Sequence, residues 1–323
     1  MKSGIINAFY VDSENKSVKK IKQEPLPSLK NENDYIWLQL NFASPDTRPF
    51  LQSTGINDLA ISTLTKPESR PRVNIINDEL MMIIRGVNLI KGEKPENMIS
   101  VRIMATKNLL ITCQKKSLNS VKDIVSEFEQ GTPPLNTGDF IVRLNERIVM
   151  NMSDVMEDIE ERAIEMEELI IDDENQDTPK QDLHNMRRQI IQLKRFLIPQ
   201  RDALNKLQLD KTSWMTTRQQ VRLREVADLL MRYLEMLDAS RDLAAVNQET
   251  LAQRQNEQIN RRMYLLSIIA ALFLPLSFFT GLFGVNLAGI PKAEDTNAFL
   301  FFVAALLLIA SFMFWFFRRN RWL

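Results

Sequence analysis

One apolar stretch near the C-terminus carries small and polar residues at a spacing that could serve an aqueous path. From Met263 to Pro291 no residue is charged, yet the stretch holds hydroxyls, glycines and an amide. A helix surrounded by lipid gains nothing from such groups, whereas a helix that lines water or packs tightly on copies of itself does. Residues spaced by three or four share one helical face. That face, extended back to Asn260, comprises Asn260, Met263, Ser267, Ala270, Leu274, Ser277, Gly281 and Gly284.

The spacing of this face fits two roles equally well. It could line a cation path, or it could be a small-residue surface against which another helix packs. One hairpin cannot enclose a pore, so the first role requires a homo-oligomer. The amide-rich segment 253–260 could then form a hydrated throat, although a solvated helix face is the simpler interpretation for most of its residues.

Two apolar runs close together predict a transmembrane hairpin that positions this face. The first run begins at Met263, and the second extends from Ala298 to Phe317. Each reaches the roughly 20 residues that a spanning helix needs, and hydropathy of this kind favours membrane insertion over burial in a soluble core. We therefore expect transmembrane helices at 263–285 and 298–317, joined by a loop at 286–297.

The charges around the hairpin predict its orientation. Arginines flank its outer ends, whereas the loop is net acidic and contains Glu294 and Asp295. The positive-inside rule places both chain termini in the cytoplasm and the loop in the periplasm. With no apparent signal peptide, the chain is expected in the bacterial inner membrane, in contact with membrane lipid. The flanking residues are Arg261, Arg262, Arg318, Arg319 and Arg321.

A region almost free of helix breakers precedes the hairpin. Between Gly138 and Gly281 there is no glycine, which predicts long helices at about 140–174, 180–208 and 216–283. In the last helix, apolar residues step by three and four as in a coiled-coil seam. The seam residues are Leu223, Val226, Leu230, Tyr233 and Leu237.

Two neighbouring segments of this region carry opposite charges. Residues 154–177 hold twelve acidic groups and one arginine, whereas residues 187–206 are strongly basic. Two antiparallel helices would pair these faces, which is the favoured interpretation. The alternative is a surface that concentrates or senses cations, but no fixed spacing of metal ligands is visible.

The N-terminal 135 residues predict a mixed α/β domain. Short β-branched runs alternate with turn signals, and no phosphate-binding loop, nucleophile elbow or zinc-protease motif is recognisable. One cysteine, one histidine and a net charge of +0 exclude a disulfide framework, a multi-histidine site and a strongly basic nucleic-acid surface. We expect no enzyme, no cofactor and no nucleic-acid partner. The predicted strands are Gly4–Val11, Tyr35–Leu40, Arg72–Ile76, Leu80–Val87, Ile99–Ala105 and Leu109–Cys113, with helices near Thr54–Leu64 and Leu118–Glu129.

These features divide the chain into seven segments. They are a cytosolic α/β domain at 1–135, a cytosolic helical hairpin at 136–215, the stalk part of the pore helix at 216–262, the two transmembrane helices at 263–285 and 298–317 with the loop 286–297 between them, and a basic cytosolic tail at 318–323.

The segment Gly284-Val285-Asn286 lies at the end of the first span. A first span ending in Gly-x-Asn, a loop of about a dozen residues, a second span and a basic tail together resemble the CorA family of metal-ion transporters, whose signature is Gly-Met-Asn. With Val285 in the middle position, the motif is similar to that of the zinc-transporting ZntB branch of the family. The match is strong over about 255–323 and extends over the rest of the chain at the level of architecture.

The resemblance implies a funnel-shaped homopentamer in which the first span lines the pore and the second forms an outer ring. It implies that Gly284, Val285 and Asn286 form the selectivity filter, with Asn286 repeated around the axis. Neutral amide oxygens can hold a hydrated dication without trapping it. Glu294 and Asp295 in the outer loop would attract cations toward the filter.

The identity of the transported ion is inferred from the resemblance to the ZntB branch, because the composition of the pore face does not indicate it. The resemblance implies Zn²⁺ as the substrate, with proton coupling, although neither span contains an acidic, basic or histidine side chain to relay protons. A Mg²⁺ or Co²⁺ channel of the CorA type is the first alternative. A membrane-anchored scaffold or receptor that transports nothing is the second.

Overall fold

The computed structural model describes residues 4–21, 26–66, 70–172, 180–210, 212–285 and 297–320. The chain divides into two compact units, Met1–Gln248 and Glu249–Leu323. The first is an α/β sheet domain extended by helices, and the second contains the two apolar helices of the C-terminus. This is the fold class that the sequence predicts.

Seven strands form one mixed sheet in the first unit. Their spatial order is β2-β1-β3-β7-β6-β5-β4. Only β3 and β7 run parallel among these neighbouring pairs. The strands are β1 (Ile5–Asp12), β2 (Ser17–Lys20), β3 (Tyr35–Asn41), β4 (Arg72–Ile76), β5 (Glu79–Gly86), β6 (Ile99–Ala105) and β7 (Leu109–Gln114).

Helices cover both faces of this sheet. Helices α1 (Thr47–Ser53) and α2 (Asp58–Thr65) pack on one face, and α3 (Asn119–Glu129) and α4 (Thr137–Met150) follow β7 along the chain. On the second face an aromatic cluster surrounds Trp37, whose ring centroid lies 4.6 Å from that of Phe128 and 4.8 Å from that of Phe140. Burial on both sides explains why β3 reads as an almost continuous apolar run.

The single cysteine belongs to the core beneath α1 and α2. Cys113 is fully buried, and the loss of hydration raises the pKa of its thiol to about 12. Because the thiolate is the reactive and metal-binding form, this cysteine is chemically inert in the folded domain.

The remaining helices are α5 (Ser153–Asp172), α6 (Lys180–Leu209), α7 (Thr217–Phe283) and α8 (Ala298–Arg319). The first predicted long helix, 140–174, is divided into α4 and α5 by a turn at Asn151 and Met152. The Asn151 amide donates to Ser120 Oγ (3.0 Å) and the Ser153 hydroxyl to the Met150 carbonyl (3.0 Å). Side chains that bond in this way favour helix ends over helix interiors.

Helix α6 continues through Pro199, whereas the break expected at Pro179 lies outside the described residues. The predicted seam of α7 is buried within the first unit, because Leu223, Leu230 and Leu237 are each 0% exposed in the single chain. Helix α6 lies beside it, since Lys194 of α6 pairs with Asp238 of α7. The seam therefore contributes to the chain's own core.

The predicted ion pairs between the acidic and basic segments are not formed in the described part of the chain. Arg162 of α5 pairs with Asp158 on its own helix, and Arg201 of α6 pairs with its neighbour Asp202. Most described acids of α5 are exposed to solvent instead. The basic residues of α6 that contact another helix reach α7.

Candidate functional site

The second unit presents two helices that are long and apolar enough to cross a membrane. Of the most apolar window of each helix, only 6% of residues in α7 and 0% in α8 are buried inside the chain. A core helix of a soluble protein would be mostly buried. The exposure of these windows is therefore consistent with the predicted transmembrane hairpin, in which lipid or further copies of the chain cover the apolar surface.

A stripe of apolar side chains joins the two helices of the hairpin. Phe283 of α7 contacts Phe302 of α8, with ring centroids 5.2 Å apart, and the partial burial continues along both helices to Ile268 and Phe317. The buried and half-buried residues are Ile268, Leu272, Pro275, Leu276 and Phe279 in α7, and Ala298, Phe302, Leu306, Ile309, Ala310, Met313 and Phe317 in α8.

The predicted polar face of α7 lies on the side opposite this stripe. At about 100° per residue, Ser277 and Gly281 fall roughly half a turn away from Ile268 and Phe279, and Ser267 lies about a third of a turn from them. All eight members of the predicted face, from Asn260 to Gly284, are exposed in the single chain. They are Asn260, Met263, Ser267, Ala270, Leu274, Ser277, Gly281 and Gly284. Packing of α8 therefore does not account for this face.

Two hydroxyl groups in the apolar part of α7 bond within the helix. Ser267 Oγ donates to the Met263 carbonyl (2.9 Å), and Thr280 Oγ1 donates to the Ser277 carbonyl (3.1 Å). Such bonds satisfy the hydroxyl hydrogen in a membrane and leave the oxygen lone pairs available. Of these two residues only Ser267 belongs to the predicted face, where its hydroxyl oxygen offers a weak, neutral acceptor to water or to a hydrated ion.

The two glycines of this face differ in what requires them. A Cβ atom at Gly281, which lies inside α7, would meet no atom within 4 Å beyond the adjacent backbone of its own helix. A Cβ atom at Gly284 would lie 2.8 Å from the Thr280 carbonyl oxygen, which accepts a 2.9 Å hydrogen bond from the Gly284 amide. Gly284, directly after the end of α7, is therefore required by local backbone geometry, whereas Gly281 is not required by the chain itself.

The rest of the predicted filter lies beyond what the structure describes. Val285 is the last described residue before the loop and is exposed, while Asn286, Glu294 and Asp295 fall outside the described residues. Across the described ranges, no group of three or more His, Cys, Asp or Glu side chains could hold a metal ion. The exposed acids of α5 thus show no ligand cage in that part of the chain.

A polar junction that no local sequence pattern indicates connects the sheet domain to the start of α7. Arg222 of α7 binds Glu146 of α4 through Nε (2.9 Å) and a terminal nitrogen (2.7 Å). Gln219 donates to Asn136 (2.9 Å) and Asp139 (3.2 Å). The bond to Glu146 raises the pKa of the Arg222 guanidinium. No local pattern predicts pairs that are separated by 76 or more residues.

Comparisons with known proteins agree with this architecture. Residues 32–319 match the family model described as CorA-like Mg²⁺ transporter protein. Zinc transport protein ZntB of Pectobacterium atrosepticum is 30% identical over 322 residues, which cover 99% of this chain and 97% of that relative.

Two solved structures extend the comparison to the whole chain. The full-length CmaX protein matches with a TM-score of 0.85 at 31% sequence identity, covering 99% of this chain and 98% of that one. The CorA magnesium transporter of Methanocaldococcus jannaschii matches with a TM-score of 0.81 at 16% identity, covering 98% and 99%. The second likeness concerns the fold alone.

Proposed function

Because this chain belongs to the CorA family of divalent metal transporters, we propose that it carries Zn²⁺ across the bacterial inner membrane through the axial pore of a homopentamer. The family consists of membrane transporters and not of enzymes. In the proposed assembly, copies of α7 line the pore and copies of α8 surround them. Both termini lie in the cytoplasm, as the flanking arginines indicate.

The observation that carries this proposal is the position of the polar face of α7. It is exposed in the single chain and lies opposite the side on which α8 packs. A lipid-facing position gives no use to Ser267, Ser277 and Gly281, whereas a central aqueous path does. Since one hairpin cannot enclose such a path, the other walls must come from further copies of the same chain.

The chemistry of the face suits an ion that keeps its water. The face offers hydroxyl oxygens but no carboxylate, thiolate or imidazole, so it cannot hold a divalent cation tightly. In the proposed mechanism, amide oxygens of Asn286 from each copy contact the hydrated ion at the outer mouth. Gly284 lets the chain turn there, and Glu294 and Asp295 raise the local cation concentration.

The choice of Zn²⁺ rests on relatives named as zinc transport proteins and on the Gly-Val-Asn motif. A Mg²⁺ or Co²⁺ channel is the second candidate, favoured by the description of the family model and by the likeness of fold to a magnesium transporter. Proton coupling is part of the zinc proposal. Because neither span has an acidic, basic or histidine side chain, protons would have to travel with water or enter from outside the spans.

Reconstitution tests the proposal directly. The purified chain is incorporated into liposomes that contain a zinc indicator, and Zn²⁺ entry is followed with and without a pH gradient and with Mg²⁺ as competitor. We expect zinc entry that increases with a pH gradient. Entry that ignores the gradient and is blocked by Mg²⁺ would favour the passive channel instead.

Empty liposomes give the background of the assay. A Ser277→Leu variant tests whether the polar face of α7 lines the path. A bulky apolar side chain at Ser277 should reduce flux because it narrows and dehydrates the proposed path. Leu276→Met, on the side of α7 that faces α8, is the matched variant and should leave flux unchanged. Absence of divalent flux from folded, oligomeric protein would contradict the transport proposal.

A further inference from the structure

We propose that the cytoplasmic end of the α7–α8 hairpin binds the headgroup of an anionic phospholipid. The site consists of three exposed arginines and one exposed tryptophan, which are Arg261 of α7 and Trp315, Arg318 and Arg319 of α8. The proposal rests on the membrane hairpin and on the outer position of α8 in the proposed assembly. It adds to them a lipid partner of defined charge.

The two helices of the hairpin run in opposite directions along their shared apolar stripe. Phe283 of α7 contacts Phe302 of α8. Equal numbers of residues separate Phe283 from Ile268 and Phe302 from Phe317, and the last member of each pair is only 6% exposed. Because both helices rise by about 1.5 Å per residue, Ile268 and Phe317 lie at about the same level.

The arginines of both helices extend from this level into the layer of lipid headgroups. Arg318 and Arg319 follow Phe317 at the end of α8, and Arg261 lies two helical turns, or about 10 Å, before Ile268 in α7. Two turns place Arg261 on the side of α7 that α8 covers nearer the membrane centre. Because α8 ends before this level, Arg261 is exposed there. The headgroup layer of one leaflet is about 5–8 Å thick, and arginine side chains can follow it.

The indole ring of Trp315 holds one of these cations beside the proposed lipid. Trp315 and Arg319 each lie two residues from the buried Phe317, nearly half a turn around α8, so they point away from α7. The guanidinium carbon of Arg319 lies 5.2 Å from the centre of the Trp315 ring, which is a cation–π contact. Phe312 is 62% exposed, and its ring centroid lies 6.0 Å from that of Trp315. Phosphate and acyl chain thus both find a matching surface.

The charge of this end favours an anionic headgroup. Among the described residues, no carboxylate lies at ion-pair distance from any of the three arginines, including Glu257 one turn before Arg261. Arginine binds phosphate through paired N–H groups, and cytoplasmic basic clusters beside membrane helices bind anionic lipids. Membrane orientation and the helix dipole also favour basic residues here. Neither effect requires Arg319 to stack on Trp315, or Arg261 to occupy the side of α7 that the end of α8 leaves uncovered.

Lipid titrations followed by native mass spectrometry of the detergent-solubilised protein test this proposal. The probes are phosphatidylglycerol, which is anionic, and phosphatidylcholine of the same chain length, which is zwitterionic. We expect tighter binding of phosphatidylglycerol, weakened about fivefold by Arg261→Gln and by Arg319→Gln. Arg262→Gln is the matched control, because it removes the same charge about 100° around α7 from Arg261 and should bind like the wild type.

Trp315→Leu separates the lipid site from the effect of charge on membrane orientation. It changes no charge, yet it should weaken phosphatidylglycerol binding because Arg319 loses the ring on which it stacks. Thermal unfolding without added lipid should give the same Tm for all four variants, because these side chains are exposed.

Three results would overturn the proposal. They are equal binding of the two lipids, equal losses in Arg262→Gln and Arg261→Gln, and full binding by Trp315→Leu. Zinc flux enters none of these measurements, so a failure here leaves the transport proposal intact.

Discussion

At the scale of single residues, the proposed transport site depends on small and neutral groups. Ser267 bonds its hydroxyl hydrogen to its own helix, and Gly281 leaves space on the exposed face. Each group gives little affinity by itself. The proposed function depends on this weakness, because an ion that is held tightly cannot pass quickly.

The first residue-scale prediction concerns the amide of the signature motif. Asn286→Ala should abolish or deregulate divalent flux, because it removes the neutral oxygens proposed to contact the hydrated ion. Flux into liposomes and competition among Zn²⁺, Mg²⁺ and Co²⁺ provide the measurement. Asn297→Ala changes an amide at the other end of the loop and serves as the control. Normal flux and selectivity in Asn286→Ala would remove Asn286 from the filter.

The second residue-scale prediction concerns Gly284. Gly284→Ala should impair flux, because its Cβ atom would approach the Thr280 carbonyl oxygen to 2.8 Å and force the end of α7 to shift. Gly281→Ala introduces the same methyl group inside the helix, where no atom beyond the adjacent backbone of α7 lies within 4 Å. The liposome assay compares the flux of the two variants. A larger loss for Gly284→Ala shows that the close contact with Thr280 matters, and not simply the replacement of a glycine. Equal effects would contradict the assignment.

At the scale of elements, α7 has two structural roles along its length. Its first part is buried in the core of the first unit, and its last part forms the apolar hairpin with α8. Two classes of contact fix these roles. Polar bonds to α4 hold its start, and an apolar stripe holds its end.

Cysteine substitution tests which face of α7 meets water. Ser277→Cys and Gly281→Cys should react with a charged thiol reagent in the membrane-embedded protein, and added Zn²⁺ should slow the reaction. Leu272→Cys, on the stripe that faces α8, should stay unreactive. The native Cys113 adds little background because it is buried and its pKa is raised to about 12. If Ser277→Cys fails to react with the reagent even without Zn²⁺, the face packs against another helix and does not meet water.

The junction between α4 and α7 should stabilise the first unit. Arg222→Met removes two charge-assisted bonds to Glu146 and should cost about 1–2 kcal/mol, which lowers the Tm by a few degrees. Arg241→Met is the control, since among the described residues Arg241 pairs with Asp238 and Asp242 of its own helix at the surface. Thermal unfolding of both variants gives the comparison. A smaller effect for Arg222→Met would contradict this role.

At the scale of the whole molecule, the exposed surface of the second unit requires partners. Large apolar side chains such as Leu274, Phe278 and Leu308 are between 61% and 73% exposed. Lipid can cover many of them, but the polar face of α7 needs a different environment. Native mass spectrometry of the detergent-solubilised protein should detect five copies. A monomer that still conducts Zn²⁺ would contradict the proposed assembly.

Much of the architecture follows from local sequence, because the relevant forces act locally. Strands β3 to β7 coincide with β-branched apolar runs, and the hairpin with two long uncharged runs. Strand β2 was missed because Ser17–Lys20 is short, polar and at the sheet edge. Helix α1 was missed because Thr47–Ser53 has only seven residues and contains a proline.

The candidate sites were only partly predictable, for a related reason. The face of α7 stands out because polar groups are rare in apolar helices. The stripe on α8 gives no periodic signal because nearly every residue of that helix is apolar. The burial of Leu230 depends on helices distant in sequence, so the seam could not reveal which surface it contacts. A charge at Leu230 would therefore test folding of the first unit rather than gating.

The sealed position of Cys113 has a consequence for the residence time of a metal ion. Zinc binds thiolates strongly, and a low-pKa cysteine near the path could capture a passing ion and delay its release. This chain keeps its one thiol buried and protonated inside the sheet domain. A cation that moves through the assembly is then expected to meet no thiolate ligand of the folded protein, which favours fast turnover over storage.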